Sequence, residues 1–268
     1  MKKGMVRALD PFTYVGNHVV AVIREFGAVA LFFAQAVLAI FSYPFQFQKI
    51  IRQVFFIGFK SLVVITLVAL FTGMVLGLQG YYTLVKFGSQ GLLGAAVALS
   101  LIRELGPTLT AIMIIARAGS AMAAELGVMR ISEQIDALDT MNIDPIRYLV
   151  SPKIAASLIS FPLLTAFFDV IGIIGGYITG VILLGINSGA YFNRMETSVS
   201  MVDIQGGFIK ALVFGVLVAT ICCYQGYFTH KRSQGYGAVG VSNSTTVAVV
   251  LSSVVVLIAD YILTSFLL

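Results

Sequence analysis

Long runs without charge alternate with short polar stretches along the whole chain. Residues 26–45 carry no charge and are nearly all apolar, and further apolar runs cover about 54–80, 92–116, 154–185, 207–228 and 245–267. Each of the last five is long enough to cross a hydrocarbon core of ~30 Å as a helix, and 154–185 has length to spare for tilt or projection. Residues 1–25 instead mix Arg7, Asp10, His18 and Arg24 with Val19, Val20, Val22 and Ile23, the pattern of an interfacial amphipathic stretch. Those charges leave no apolar run directly behind Lys2 and Lys3, so no cleavable targeting segment is read there. The 26–45 run differs from the later five. Arg24 stands before it and Lys49 and Arg52 follow, and positive charge on both flanks argues against crossing. Pro44 breaks it near its end. The pattern predicts an all-α membrane protein: N-terminal interfacial or re-entrant helices in 1–53, then a domain of five transmembrane helices in 54–268.

Charge placement supports this arrangement. With the N-terminus in the cytoplasm and the C-terminus outside, most of the 17 Lys and Arg fall on the cytoplasmic side, from Lys2, Lys3, Arg7 and Arg24 through Lys49, Arg52 and Lys60 to Arg117, Arg130, Arg147, Lys153, Lys231 and Arg232. Lys86 and Arg194 lie outside, and Arg103 and Lys210 fall within spans, in keeping with the positive-inside bias. The chain is 59% hydrophobic and 11% charged, against about 25% charged in soluble domains. Its net charge of +5 therefore reads as membrane orientation, and nucleic-acid binding is excluded. Cys222 and Cys223, adjacent in one apolar run, read as small buried hydrophobes.

Few motifs of soluble chemistry are present. No G-x-x-x-x-G-K-[ST] occurs, so any ATP used must be bound, with its Mg²⁺, by another chain, and this chain is not itself an enzyme. Gly235, Gly237 and Gly240 match G-x-G-x-x-G but lack a strand or βαβ context. Asn243-Ser244-Thr245 fits a glycosylation acceptor at a cytoplasmic span end, where it has no meaning. His18 and His230 have no partners at metal-ligand spacing, so no metal or other cofactor is expected.

Three signals are stronger. First, from Arg117 to Asp139, Met122, Leu126, Met129, Ile135 and Leu138 recur at near-helical spacing with Glu125, Arg130, Glu133, Asp136 and Asp139 mostly on other faces. This predicts an amphipathic helix outside the hydrocarbon, either packed on its own bundle or docking a cytoplasmic partner. Second, Arg103, Glu104, Asp169, Lys210 and Asp260 lie within spans, where charges pair or face a cavity. Arg103 and Glu104 point about 100° apart and need separate partners, and Lys210 with Glu104 or Asp260 is one pairing. Such pairs either lock the helices or line a path for a lipid headgroup. Third, Gly73 and Gly77, and Gly172, Gly176 and Gly180, form G-x-x-x-G spacings, which serve close packing within the chain or a homodimer seam.

The stretches GMVLGLQGY (Gly73–Tyr81), ALSLIRELGPTLTA (Ala98–Ala111), RAGSAMAAELGVMRISEQIDAL (Arg117–Leu138), DPIRYLVSPK (Asp144–Lys153) and FPLLT (Phe161–Thr165) closely resemble the MlaE/YrbE permease family, over essentially the whole chain. The resemblance implies the permease subunit of a bacterial inner-membrane ABC transporter that moves phospholipids between the inner membrane and the outer envelope. It implies a homodimer working with a separate ATPase, a periplasmic ring of MCE-domain proteins and, in many systems, a STAS-domain protein. By the same resemblance, Ala118–Asp139 is the coupling helix, with Glu125, Met129, Arg130 and Glu133 facing the ATPase. Leu76, Leu84, Phe87 and Leu105 line a lipid cavity near the outer side of the dimer, and Arg103, Glu104, Lys210 and Asp260 match intramembrane polar positions. Asp169 and a long loop at His230–Val241 depart from the pattern. Two other classes fit the residues alone: an ion-coupled secondary transporter that uses the intramembrane charges as a relay, and a structural anchor for an MCE ring.

Overall fold

The computed structural model describes residues 2–40, 46–231 and 237–267. Every regular element among them is helical, as a bilayer requires, because a helix satisfies its own N–H and C=O groups where no water can. Helix α1 (Lys2–Ile40) leads to α2 (Phe47–Ile57), a 3₁₀ turn at Phe59–Ser61 and α3 (Leu62–Val85). A second rod runs from Gln90 through α4 (Leu93–Ser100), α5 (Gly106–Ile114) and α6 (Ser120–Ile131), with π-turns at Leu101–Leu105 and Ile115–Gly119. The short α7 (Gln134–Thr140) follows. A third rod holds a π-turn at Ile146–Val150, α8 (Ser151–Tyr177) and a π-turn at Ile178–Leu183. The chain ends with α9 (Ser188–Ser198), α10 (Met201–Tyr227) and α11 (Gly237–Leu267).

Among the described residues, six helices are long and apolar enough to cross a membrane: Ile23–Ile40, Phe47–Val85, Gln90–Ile131, Ile146–Leu183, Met201–Tyr227 and Gly237–Leu267. Five of these coincide with the five predicted runs, two of which (154–185 and 207–228) extend one or two residues past the helix ends at Leu183 and Tyr227. The sixth is the end of α1, which the flanking charges had set apart as non-crossing. Pro44 and Gly235 lie outside the described residues. The end of α1 is docked on the bundle: Phe32 packs on Tyr224 and Tyr227 of α10, each at 5.6 Å between ring centroids, and Ser151 Oγ donates to the Ala36 carbonyl at 2.8 Å. At the opposite end of the bundle, Asn187 caps α9 by accepting from Ala190 N at 3.1 Å. Burial of Tyr191 beneath α9 pushes its phenol up to about 12.

The amphipathic stretch after the second span differs from its predicted form. It is two helices, not one. Helix α6 prolongs the second rod and packs on α10 and α11, burying Met122, Ala123 and Leu126. The chain then turns at Ser132–Glu133, where Glu133 adopts a left-handed φ of 56°. Only α7 stands out from the bundle, held by buried Ile135 and by Arg130 Nη1 at 2.8 Å from Asp136. No glycine or proline marks this break, so helical periodicity carries straight through it in the sequence.

The G-x-x-x-G spacings pack α3 on α8 within one chain. A Cβ at Gly73 would be driven into the Gly172 carbonyl, and one at Gly77 would lie 3.1 Å from the Gly176 carbonyl. Gly180 faces Leu93. The homodimer alternative for these glycines is therefore not what the structure uses them for. Overpacking of a tight contact costs about 1–3 kcal/mol. Gly73→Ala should lower the thermal unfolding temperature of the purified protein, whereas Gly91→Ala, with nothing within 4 Å, should leave it nearly unchanged.

Candidate functional site

The charged residues of the spans converge where the second rod meets α10 and α11. Lys210 lies nine residues after Met201, about 14 Å along α10 at 1.5 Å per residue, and its side chain is 3% exposed. Its Nζ is 2.9 Å from Glu104 Oε2 and 3.1 Å from Asp260 Oδ1, and it donates to the Arg103 carbonyl and to Thr264 Oγ1, both at 2.7 Å. Four acceptors thus surround three hydrogens. The Arg103 carbonyl is open for a sequence reason. Its α-helical donor would be residue 107, which is a proline without an N–H, and the chain relaxes into the π-turn just before it. Thr264 Oγ1 lies within hydrogen-bond reach of Glu104 Oε1, at 3.0 Å, and of the Asp260 carbonyl, at 2.8 Å.

Arg103 points elsewhere. Its Nε donates to Asp203 Oδ1 at 2.7 Å, while Asp203 Oδ2 accepts from Ser200 N at 2.9 Å and from Ser200 Oγ at 2.7 Å, a capping box that starts α10. Asp203 is nearly buried, but the Arg103 side chain is 42% exposed. A guanidinium carries five N–H donors, and this ion pair engages one of them. Lys210, enclosed and saturated, is a structural tie. Arg103 is the cation still able to meet a ligand.

One hollow is lined by Arg103, and a second is lined by its chain neighbour Ile102. A narrow cleft between Arg103, Asp203, Gly206, Lys210 and Thr264 has room for about 40 Å³, enough for water and too small for a lipid headgroup. Beside it, Ile102, Ile173, Phe192, Met195 and Val199 line an apolar hollow of about 370 Å³, with Glu196 among its walls.

The sequence-derived candidates separate on this geometry. Glu104, Lys210 and Asp260 meet, and Arg103 borders them. Asp169 is mostly buried on α8 against Gly106 and stands outside the cluster. Leu105 shares the π-turn with Arg103, Leu76 and Leu84 are half-buried on α3, and Phe87 is exposed beyond it. None of these four lines the charged cleft or the apolar hollow. At the other end, Glu125 lies 2.6 Å from the buried Lys153, and Met129 is half-buried. Arg130 Nε donates to His230 Nδ1 at 2.9 Å, and Glu133 sits at the α6–α7 break. Sequence reasoning did not assign Asp203 or Thr264. Asp203 was signalled by the S-x-x-D capping pattern two turns before Lys210, and Thr264 by its position one turn after Asp260.

These features define a polytopic α-helical membrane protein organised around ion pairs within its spans. Residues 50–266 match the model of the family described as permease MlaE, and the chain belongs to that family. It is 41% identical over 252 residues to the intermembrane phospholipid transport system permease protein MlaE of Haemophilus influenzae, an alignment that covers 94% of this chain and 95% of that one. It is also 41% identical to a probable ABC transporter permease protein of Rickettsia typhi, over 94% of this chain and 96% of the relative. Identity to TRIGALACTOSYLDIACYLGLYCEROL 1 of Arabidopsis thaliana chloroplasts is 35%, over 89% of this chain and 67% of that protein.

A buried charge left without its partner costs about 3–5 kcal/mol, whereas replacement of the whole pair by apolar groups is far milder. Lys210→Met should therefore destabilise the protein more than the double variant Lys210→Met/Asp260→Leu does, as read by thermal unfolding in detergent.

Proposed function

We propose that the chain is the permease subunit of an ABC transporter that moves phospholipids between the inner membrane and the outer envelope, driven by a separate ATPase. The observation that carries this reading is Arg103, a half-exposed guanidinium with donors to spare, next in the chain to Ile102, which lines an apolar hollow of about 370 Å³. A phospholipid needs both features: a phosphate partner and an apolar wall for its chains. Removing a chain of ~14 carbons from a bilayer forfeits on the order of 10 kcal/mol at ~0.8 kcal/mol per CH₂. The apolar wall must return most of that, and ATP supplies the imbalance. Leu76, Leu84, Phe87 and Leu105 border neither hollow within one chain, and in this reading they wall the lipid path only where a second copy of the chain completes it.

In this reading the protein is a homodimer with five crossing helices per chain, cytoplasmic N-termini and periplasmic C-termini. The end of α1 is an interfacial or re-entrant helix. ATP and Mg²⁺ bind the ATPase, α7 with the end of α6 forms the coupling element, and an MCE-domain ring receives lipid on the periplasmic side. A STAS-domain protein on the ATPase is consistent with it. Since Arg130 and Glu125 are held by contacts inside the chain, the exposed face of α7 is the better place to probe ATPase docking.

Affinity purification from native membranes in mild detergent should recover an ATPase, an MCE-domain protein and phospholipid. A permease isolated alone would favour an ion-coupled transporter. Ala137→Arg, at an exposed α7 position, should abolish ATPase recovery without changing the unfolding temperature. Arg103→Gln removes a charge-assisted contact worth about 1.5–3 kcal/mol and should slow lipid transfer between vesicles by about tenfold or more. Unchanged transfer by a folded Arg103→Gln protein would count against the assigned site.

A further inference from the structure

Helix α2 has two distinct long faces. Phe47, Ile51, Phe55 and Phe59 recur every four residues and are all more than half exposed, with the Phe55 and Phe59 rings stacked at 5.0 Å. Lys49, Arg52 and Gln53 face another way and line a cavity of about 400 Å³, closed by Glu125 of α6 and by Tyr148 and Lys153 of the third rod. That volume lies within the ~300–1,000 Å³ range of small-molecule sites.

The cavity holds an excess of positive charge. Lys153, almost fully buried, is neutralised by Glu125 at 2.6 Å. Lys49 Nζ rests over the Tyr148 ring, 2.8 Å from its centroid, and Arg52 is exposed. Neither has a carboxylate partner among the described residues. Gln53 adds a buried amide atom without a hydrogen-bond partner. Because amide oxygen and nitrogen are exchangeable assignments, Gln53 can offer an N–H₂ donor to the cavity. Two cations without carboxylate partners, an amide donor and an adjoining apolar stripe therefore lie along one helix at the end of the bundle that carries α7.

We propose that this cleft binds the phosphate of an anionic glycerophospholipid from the leaflet at that end. Lys49 and Arg52 hold the phosphodiester, Gln53 donates to it, and the acyl chains run along Phe47, Ile51 and Phe55. Arg52 sits at the seam between the charged and apolar faces, where a headgroup passes into its chains. The site requires only that α2 lies against a membrane, so it stands or falls separately from the transport reading.

The chain has no tryptophan, which permits a single reporter. Full-length Phe55→Trp protein is reconstituted in phosphatidylcholine vesicles containing a fixed fraction of brominated phosphatidylglycerol or, in parallel, brominated phosphatidylcholine. The anionic lipid should quench as though enriched about fivefold, the scale of one lysine or arginine near an anionic headgroup. Lys49→Gln/Arg52→Gln should reduce quenching to the phosphatidylcholine level, and Lys49→Arg/Arg52→Lys should retain the excess. Ile51→Trp repeats the measurement if Phe55→Trp does not fold. Equal quenching by the two lipids, or an excess that survives the glutamine pair, overturns the site. Relief of the excess by millimolar inorganic phosphate would assign the cleft to a free anion in place of lipid. Loss of a co-purifying ATPase from the glutamine pair, with no lipid excess in the parent, would assign it to a protein partner.

Discussion

An ammonium group enclosed among apolar helices must be surrounded by acceptors before those helices can close on it. Lys210 imposes this condition here. Its acceptors come from two other elements, Glu104 and the Arg103 carbonyl on the second rod, and Asp260 and Thr264 on α11. None of the three helices can slide along its axis without stranding a charge in a medium where a lone charge costs several kcal/mol. The backbone contributes as much as the side chains. Pro107 removes the donor that the Arg103 carbonyl would otherwise use, and the ammonium fills that vacancy. Proline, π-turn and lysine are therefore one device: each is a defect in isolation, and together they satisfy one another.

Elsewhere the bundle closes by shape. Where α3 crosses α8, glycine meets glycine and the backbones touch, which in lipid replaces the hydrophobic drive that water supplies to soluble cores. The two modes divide the molecule. Close apolar packing joins α3 to α8, and polar ties join the second rod to α10 and α11. The lipid-facing sides of α2 and α3 are left as rows of exposed apolar side chains, as hydrocarbon permits.

Much of this was legible in the sequence, for identifiable reasons. Spans are readable because length and apolarity are fixed by bilayer thickness. The partners of Lys210 were readable because so few charges lie at that depth that the choices reduce to Glu104 and Asp260. What the glycine spacings could not state is which surface they meet: G-x-x-x-G encodes closeness and not the identity of the neighbour. The turn at Ser132–Glu133 was hidden because a left-handed residue there is glutamate, and neither propensity nor periodicity flags it. Asp203 escaped because it lies at a helix start, outside the apolar window, and reaches Arg103 only through folding. The apolar hollow under α9 was equally silent, since Phe192, Met195 and Val199 belong to a segment too polar to draw notice among the spans.

The second rod sets the terms on which the two ends of the molecule can communicate. It runs unbroken over 42 residues, from Gln90 to Ile131, so α6 at one end and Arg103 nearer the other belong to one helix. A uniform α-helix of that length would carry any push on α7 as rigid translation, and that would tear Glu104 from Lys210. The π-turns at Leu101–Leu105 and Ile115–Gly119 interrupt the regular ladder on both sides of α5, and irregular turns are where a helix bends. One of them contains Arg103 and Glu104 themselves. A change of angle at Ile115–Gly119 is therefore the one displacement of α6 that leaves Glu104 in reach of Lys210, because the bend lies between them.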